Sequence, residues 1–252
     1  MERLLSGKDI IVTGAAQERS IGDAIARACA EHGAHVHVLS RRADTAIAAA
    51  KRLEKEALRA SGHGCDITSD ASVDALARAP ALARVAGIVH NAGAPVTQWA
   101  RSFDEVPIDE FRAAFEVDVL GAARLSRALL PRMKERGGSL VFTSSTAAIA
   151  GYEFLHEFAP AKAGVLGLMR GLAAEFGRDG IRANAVAYGN ISSPATWDSL
   201  DETQRSSLAL ESPMRRWGTP REAAGASVFL LSDLSSFVNG QTLIVDGGTV
   251  MR

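Results

Sequence analysis

A chain of 252 residues, 47% of them hydrophobic, is long enough to bury a sizeable core and suits one large α/β domain, taken here as residues 1–252. A formal net charge of −1 gives neither nucleic acid nor an anionic membrane an electrostatic reason to bind, and no basic stripe is visible. With no signal peptide and no apolar run long enough to span a bilayer, the expectation is a soluble, cytoplasmic protein; Cys29 and Cys65 lack metal or redox spacing and read as buried thiols.

No repeat, low-complexity tract or linker divides the chain. Short apolar runs alternate with amphipathic stretches. Residues 9–13 (DIIVT) predict a buried strand. Ile21, Ala24, Ile25 and Ala28 then share one face of a helix, at the i, i+3, i+4, i+7 spacing. Residues 35–39 (HVHVL) predict a second strand and 44–60 a polar-faced helix. Further strands are predicted at 87–90, 139–143, 182–187 and 242–245. The longest helical stretches are 108–135 and 158–176; in the second, Ala161, Val165, Leu168, Met169, Leu172 and Phe176 keep helical spacing. Continuous apolar strands alternating with helices imply a mostly parallel sheet covered on both faces. Right-handed crossovers make it a doubly wound, Rossmann-type three-layer α/β/α fold. Ligands of such folds bind beyond the carboxyl ends of the strands.

The first such end reads Thr13-Gly14-Ala15-Ala16-Gln17-Glu18-Arg19-Ser20-Ile21-Gly22. Small residues let the backbone approach a pyrophosphate, and a helix opening at Ile21 and Gly22 offers free N–H groups. Gly14 and Gly22 are the candidate contacts, with Ser20 as helix cap or phosphate ligand. The spacing departs from G-x-G-x-x-G, so an ordinary glycine-rich turn is the competing reading.

From this turn onward the chain resembles the short-chain dehydrogenase/reductase family, over nearly its whole length. That family usually carries TGxxxGxG here; the longer TG-x5-SIG form is similar to the turn of enoyl-acyl-carrier-protein reductases and some ketoreductases. The second strand ends Leu39-Ser40-Arg41-Arg42. Ser40 falls where NAD-using relatives commonly place Asp, and a hydroxyl followed by two guanidinium groups suits a ribose 2′-phosphate. This favours NADP(H) over NAD(H); otherwise both arginines simply begin a solvated helix. Asp66-Ile67 resembles the pair that meets the adenine. His90-Asn91-Ala92-Gly93 resembles the NNAG segment, in which Asn91, Ala92 and Gly93 line the adenosine ribose and hold the sheet together. His90 reads as a capped turn residue rather than a catalytic one.

The resemblance also implies a catalytic set of Asn, Ser, Tyr and Lys. Ser145 matches the serine that orients the carbonyl. Lys162 matches the lysine that binds the nicotinamide ribose and lowers the tyrosine pKa. Residue 158, on the same helical face as Lys162, is Phe instead of Tyr. Asp118 stands where Asn is usual and is expected to orient a water or the lysine. Phe158 admits three readings: a substitution introduced into a natural tyrosine enzyme; an enzyme with another proton source, from Tyr152, His156, Tyr188 or water; or a cofactor-binding protein without turnover. Tyr152 reads equally as an aromatic wedge at the pocket rim.

Residues 184–191 (NAVAYGNI) resemble NAVAPGPI. The resemblance gives Gly189, Ile191 and Ser193 contacts to the nicotinamide end, while Tyr188 and Asn190 either loosen a rigid turn or set polar groups against substrate. Residues around 192–215 match a substrate lid, in which Trp197 closes over substrate or packs beneath the lid. Pro95, Trp99, Tyr152, Leu155 and Trp197 suggest an apolar or aromatic-tolerant pocket. The terminal VNGQT…VDGG strand resembles a family segment at a subunit interface, which implies a homotetramer. The resemblance as a whole points to reversible ketone/alcohol hydride transfer on a small-molecule substrate, similar to 3-oxoacyl-acyl-carrier-protein reductases. The alternative is a catalytically silent NADP(H)-binding regulator or scaffold.

Overall fold

Runs rich in branched and aliphatic residues form every strand but the third. In the computed structural model, which describes residues 3–94 and 101–251, the strands assemble into one parallel sheet of order β3-β2-β1-β4-β5-β6-β7. The strands are β1 (Asp9–Thr13), β2 (His35–Ser40), β3 (Ala60–Gly64), β4 (Val85–His90), β5 (Gly138–Ser145), β6 (Ile181–Tyr188) and β7 (Thr242–Val245). Every pairing is parallel, so all carboxyl ends open on one edge. The order reverses between β1 and β4, and the crevice of such a fold lies there.

Residue parity along the strands separates two cores. Ile10, Val12, Val36, Val38, Val89, Val141 and Val186 face α1 (Ile21–Glu31), α2 (Ala43–Glu54) and α9 (Pro220–Leu231). Ile11, Leu39, Ile88, Leu140 and Phe142 face α3 (Asp70–Ala77), α5 (Ala122–Met133) and α6 (Phe158–Phe176). Both cysteines are buried, and burial pushes the Cys29 thiol up to about 12. Among the described residues no helix is long and apolar enough to cross a membrane.

Two expectations change. The helix expected at 44–60 ends at Glu54, because Ala57 turns to φ 61° and Leu58 N–H reaches back to the Leu53 carbonyl. The chain then forms β3, whose ASGHG sequence carries no branched aliphatic side chain. The stretch 108–135 is not one regular helix. It comprises α4 (Ile108–Phe115), a π-helical segment (Glu116–Gly121) and α5. The lid region holds α7 (Pro194–Trp197) and α8 (Glu202–Glu211).

Candidate active site

The glycine-rich turn closes against β4 so tightly that side chains are excluded. Gly14 has φ +66°, and a Cβ there would lie 2.8 Å from Ala92 Cα; one on Gly22 would lie 2.4 Å from the Gly14 carbonyl oxygen. Ser20 caps α1 by accepting from Asp23 N–H at 3.1 Å, which leaves the first N–H groups of the helix, at Ile21 and Gly22, without partners inside it. Asn91 fastens the strand ends together. Its Nδ2 donates to the carbonyls of Thr13 (3.1 Å) and Gly14 (3.3 Å), and its Oδ1 accepts from Thr143 Oγ1 (3.4 Å). Thr13, whose role the sequence did not disclose, receives the N–H groups of Asn91 and Ala92, both at 2.9 Å, on its hydroxyl.

At the end of β2 the Ser40 hydroxyl shares a hydrogen bond with Thr45 Oγ1 at 2.8 Å. Exposed Arg42 forms a two-point ion pair with Asp44, which holds that carboxyl below the usual range. Asp66 accepts from the Thr68 hydroxyl (2.7 Å) and N–H (3.0 Å), and these bonds depress its pKa. Ile67 packs at the neighbouring position: a Cβ on Gly121 would come within 2.8 Å of its Cδ1.

β5 delivers Ser145 and α6 delivers Phe158 and Lys162. Ser144 Oγ donates to the Lys162 carbonyl at 3.0 Å, a tie between strand and helix absent from the sequence reading. Ser145 Oγ accepts from Ala147 N–H at 3.2 Å, and its hydroxyl proton is left to bond elsewhere. Lys162 Nζ stands 2.9 Å from Asp118 Oδ2, with the two side chains 7% and 1% exposed. It also lies 5.5 Å from the centroid of the Phe158 ring. The other Asp118 oxygen accepts from Ala94 N–H at 2.7 Å. A Cβ on Gly93 would sit 3.0 Å from Lys162 Nζ, so Gly93 keeps the approach to the lysine open. Asp118 is thus paired with the lysine.

The other expected groups divide. His90 is not a turn residue: it ends β4, buried, bonded to Ser126 Oγ at 2.9 Å and stacked on Phe142. Burial lowers its pKa to about 3. Tyr188 is ruled out as proton source. Its side chain follows the parity of Val186 into the α1/α9 core and donates to the Ala223 carbonyl at 3.2 Å, with burial pushing the phenol up. Asn190 bonds the Leu208 carbonyl and Glu211, both at 3.2 Å, so it anchors α8. Tyr152 and Leu155 are half-buried on the loop before α6, and His156 there packs edge-on against Phe103 at 5.4 Å. Pro95 and Trp99 lie outside the described residues.

Gly189 must be small, since a Cβ would meet Asp246 Cβ at 2.5 Å. Ile191 is buried and bridges to Gly218, and Ser193 is buried at the start of α7. Trp197 packs at right angles on Trp217, 5.2 Å between centroids, with the Arg205 guanidinium 4.7 Å above it. It lines a cavity of about 380 Å³ together with Arg19, Arg27 and Arg221; no residue of the Ser145–Lys162 stretch borders that cavity.

Residues 14–250 match the family described as Enoyl-(Acyl carrier protein) reductase. An uncharacterized short-chain type dehydrogenase/reductase of Sinorhizobium fredii is 36% identical, over 99% of this chain and 100% of that protein. Two solved structures have TM-scores of 0.90. One is a gluconate 5-dehydrogenase from Burkholderia cenocepacia in complex with NADP and tartrate, 30% identical over 98% of this chain and 97% of its own. The other is a 7α-hydroxysteroid dehydrogenase complexed with NADH and 7-oxo glycochenodeoxycholic acid, 32% identical over 100% and 97%.

Proposed function

Because the chain belongs to the short-chain dehydrogenase/reductase family, we propose that it is an NADP(H)-dependent oxidoreductase that interconverts a ketone and a secondary alcohol, with Phe158 in the place of the proton-donating tyrosine. The observation that carries this reading is Lys162, buried at the carboxyl edge of the sheet beside the Phe158 ring and held by Asp118. In this reading 1–252 is one domain with a lid around 192–215, working as a cytoplasmic homotetramer.

The residues fit a dinucleotide. Gly14 and Gly22 put no side chain on the turn, and the N-terminus of α1 gives a pyrophosphate N–H donors and a positive dipole end. Arg41 and Arg42, beside the Ser40 hydroxyl, take a 2′-phosphate, and the ionised Asp66 with Ile67 takes the adenine. Asn91, Ala92 and Gly93 line the adenosine ribose. Gly189, Ile191 and Ser193 line the nicotinamide end. The nicotinamide, when bound, gives or accepts the hydride. Lys162 holds the adjoining ribose, and the Ser145 hydroxyl donates to the carbonyl oxygen and strengthens that bond as negative charge develops. Phe158 has no proton to give, and a positioned general acid is worth roughly 10²–10⁴ in rate. Tyr152, His156 and water remain as sources.

A second reading, a silent NADP(H)-binding regulator or scaffold, is favoured by the same pair: Asp118 engages the charge of Lys162, and the ring beside it carries no transferable proton. NADPH oxidation by this chain and by Phe158→Tyr, over β-ketoesters, acyl thioesters, diketones and aryl ketones, separates the two. A gain of about a hundred-fold or more with Tyr is the expected result. NADPH binding by both proteins with turnover by neither overturns the enzyme reading for that panel.

A further inference from the structure

We propose that Asp9, His35 and His37 form a zinc-class divalent-cation site at the amino ends of β1 and β2, on the sheet edge opposite the nucleotide cleft. Strand register brings them together. Asp9 pairs with His35, and His37, two residues on, shares that face. Asp9 Oδ1 lies 3.3 Å from His35 Nδ1 and 3.4 Å from His37 Nε2, and the three atoms fall within 4.8 Å of one another. With zinc–ligand bonds of about 2.0–2.1 Å, the edge between two ligands of a tetrahedral ion is about 3.3–3.4 Å. The donor set, two imidazole nitrogens and a carboxylate oxygen, suits zinc better than the hard cations, which take oxygen alone.

The far nitrogen of each ring is also held, and both holding groups come from β3. His35 Nε2 is 2.8 Å from Ser61 Oγ, and His37 Nδ1 is 3.1 Å from His63 Nε2. When those far nitrogens donate, the nitrogens turned toward Asp9 present lone pairs to a carboxylate, and a cation between them satisfies all three. This is the outer hydrogen bonding that orients metal-binding imidazoles. His37 is wholly buried, which favours the neutral, ligating ring. The side chains of Asp9 and His35 are 21% and 26% exposed, enough to admit an ion and a water as fourth ligand. The site's expected work is to fasten the edge strand β3, which has little apolar side chain of its own.

The test titrates metal-stripped, tag-free protein with Zn²⁺ by calorimetry, counts bound zinc by mass spectrometry, and records the visible spectrum with Co²⁺. Expected are one equivalent per chain, tetrahedral Co²⁺ bands and a higher Tm with zinc. Asp9→Asn and His35→Gln should abolish these, and Ser61→Ala should weaken zinc binding about 10–100-fold, with NADPH binding unchanged in all three. Circular dichroism checks that each variant folds, and Ser61→Ala leaves the ligands themselves intact. Less than a tenth of an equivalent on the parent chain means that the cluster is a hydrogen-bond network only and overturns the proposal. Zinc binding unmoved by Asp9→Asn and His35→Gln overturns it as well.

Discussion

The carboxylate of Asp118 accepts from two donors at once, Lys162 Nζ on one oxygen and Ala94 N–H on the other. Removing one partner of a buried ion pair strands the other charge. Asp118→Asn, which keeps an acceptor for Ala94, should therefore destabilise the fold by about 3 kcal/mol, measured by urea unfolding. Lys162→Met in the same background should recover part of that loss, because the stranded charge goes with it; if Asp118→Asn unfolds like the parent chain, the pair is not a stability element. The closeness of these side chains is legible in part from the residues. The i, i+4 spacing put positions 158 and 162 on one face, and Asp118 was expected to orient a water or the lysine. Tyr188 is no proton source, and strand parity carries the signal: it shares the face of Val186, which belongs to the helix-covered core.

His90 joins three elements: it ends β4, bonds Ser126 on α5 and stacks on Phe142 of β5. Its folded pKa of about 3 lies far below the 6.5 of the free side chain. Above pH 6.5 neither the folded nor the unfolded chain holds the proton, and stability is full. As pH falls below 6.5 the unfolded chain takes up a proton that the folded chain refuses until about pH 3, so stability drops by about 1.4 kcal/mol per pH unit across that window. His90→Asn should remove this slope; the measurement is unfolding free energy against pH for both proteins, and parallel curves contradict the buried neutral ring. β1 and β7 are legible as short apolar runs and α6 from its helical spacing. β3 is hidden because its ASGHG sequence has no branched aliphatic side chain, and its pairing to β2 is made by backbone and polar side chains. The π-helical segment was hidden because its wider turn uses ordinary helix-forming residues.

For the molecule as a whole, a ligand that binds only the native state stabilises it by mass action, about 2.7 kcal/mol at a hundred times Kd. In a chain of this size that is a Tm rise of about 5–10 °C. The solved relatives carry NADP in one case and NADH in the other, so family membership leaves the choice of nucleotide to the end of β2. There the Ser40 hydroxyl bonds Thr45, and Arg42 already satisfies part of its guanidinium with Asp44. NADPH should raise Tm more than NADH at equal concentration. Replacing both Arg41 and Arg42 by Ala should cut the NADPH shift to the NADH level, because a charge-assisted contact worth about 1.5–3 kcal/mol is lost. Ser40→Asp should invert the order, since its carboxylate accepts from the free ribose hydroxyls of NADH and repels a 2′-phosphate. An unmodified chain stabilised equally by the two nucleotides would mean that these arginines only open α2 into solvent, and the nucleotide preference would have to be set elsewhere in the cleft.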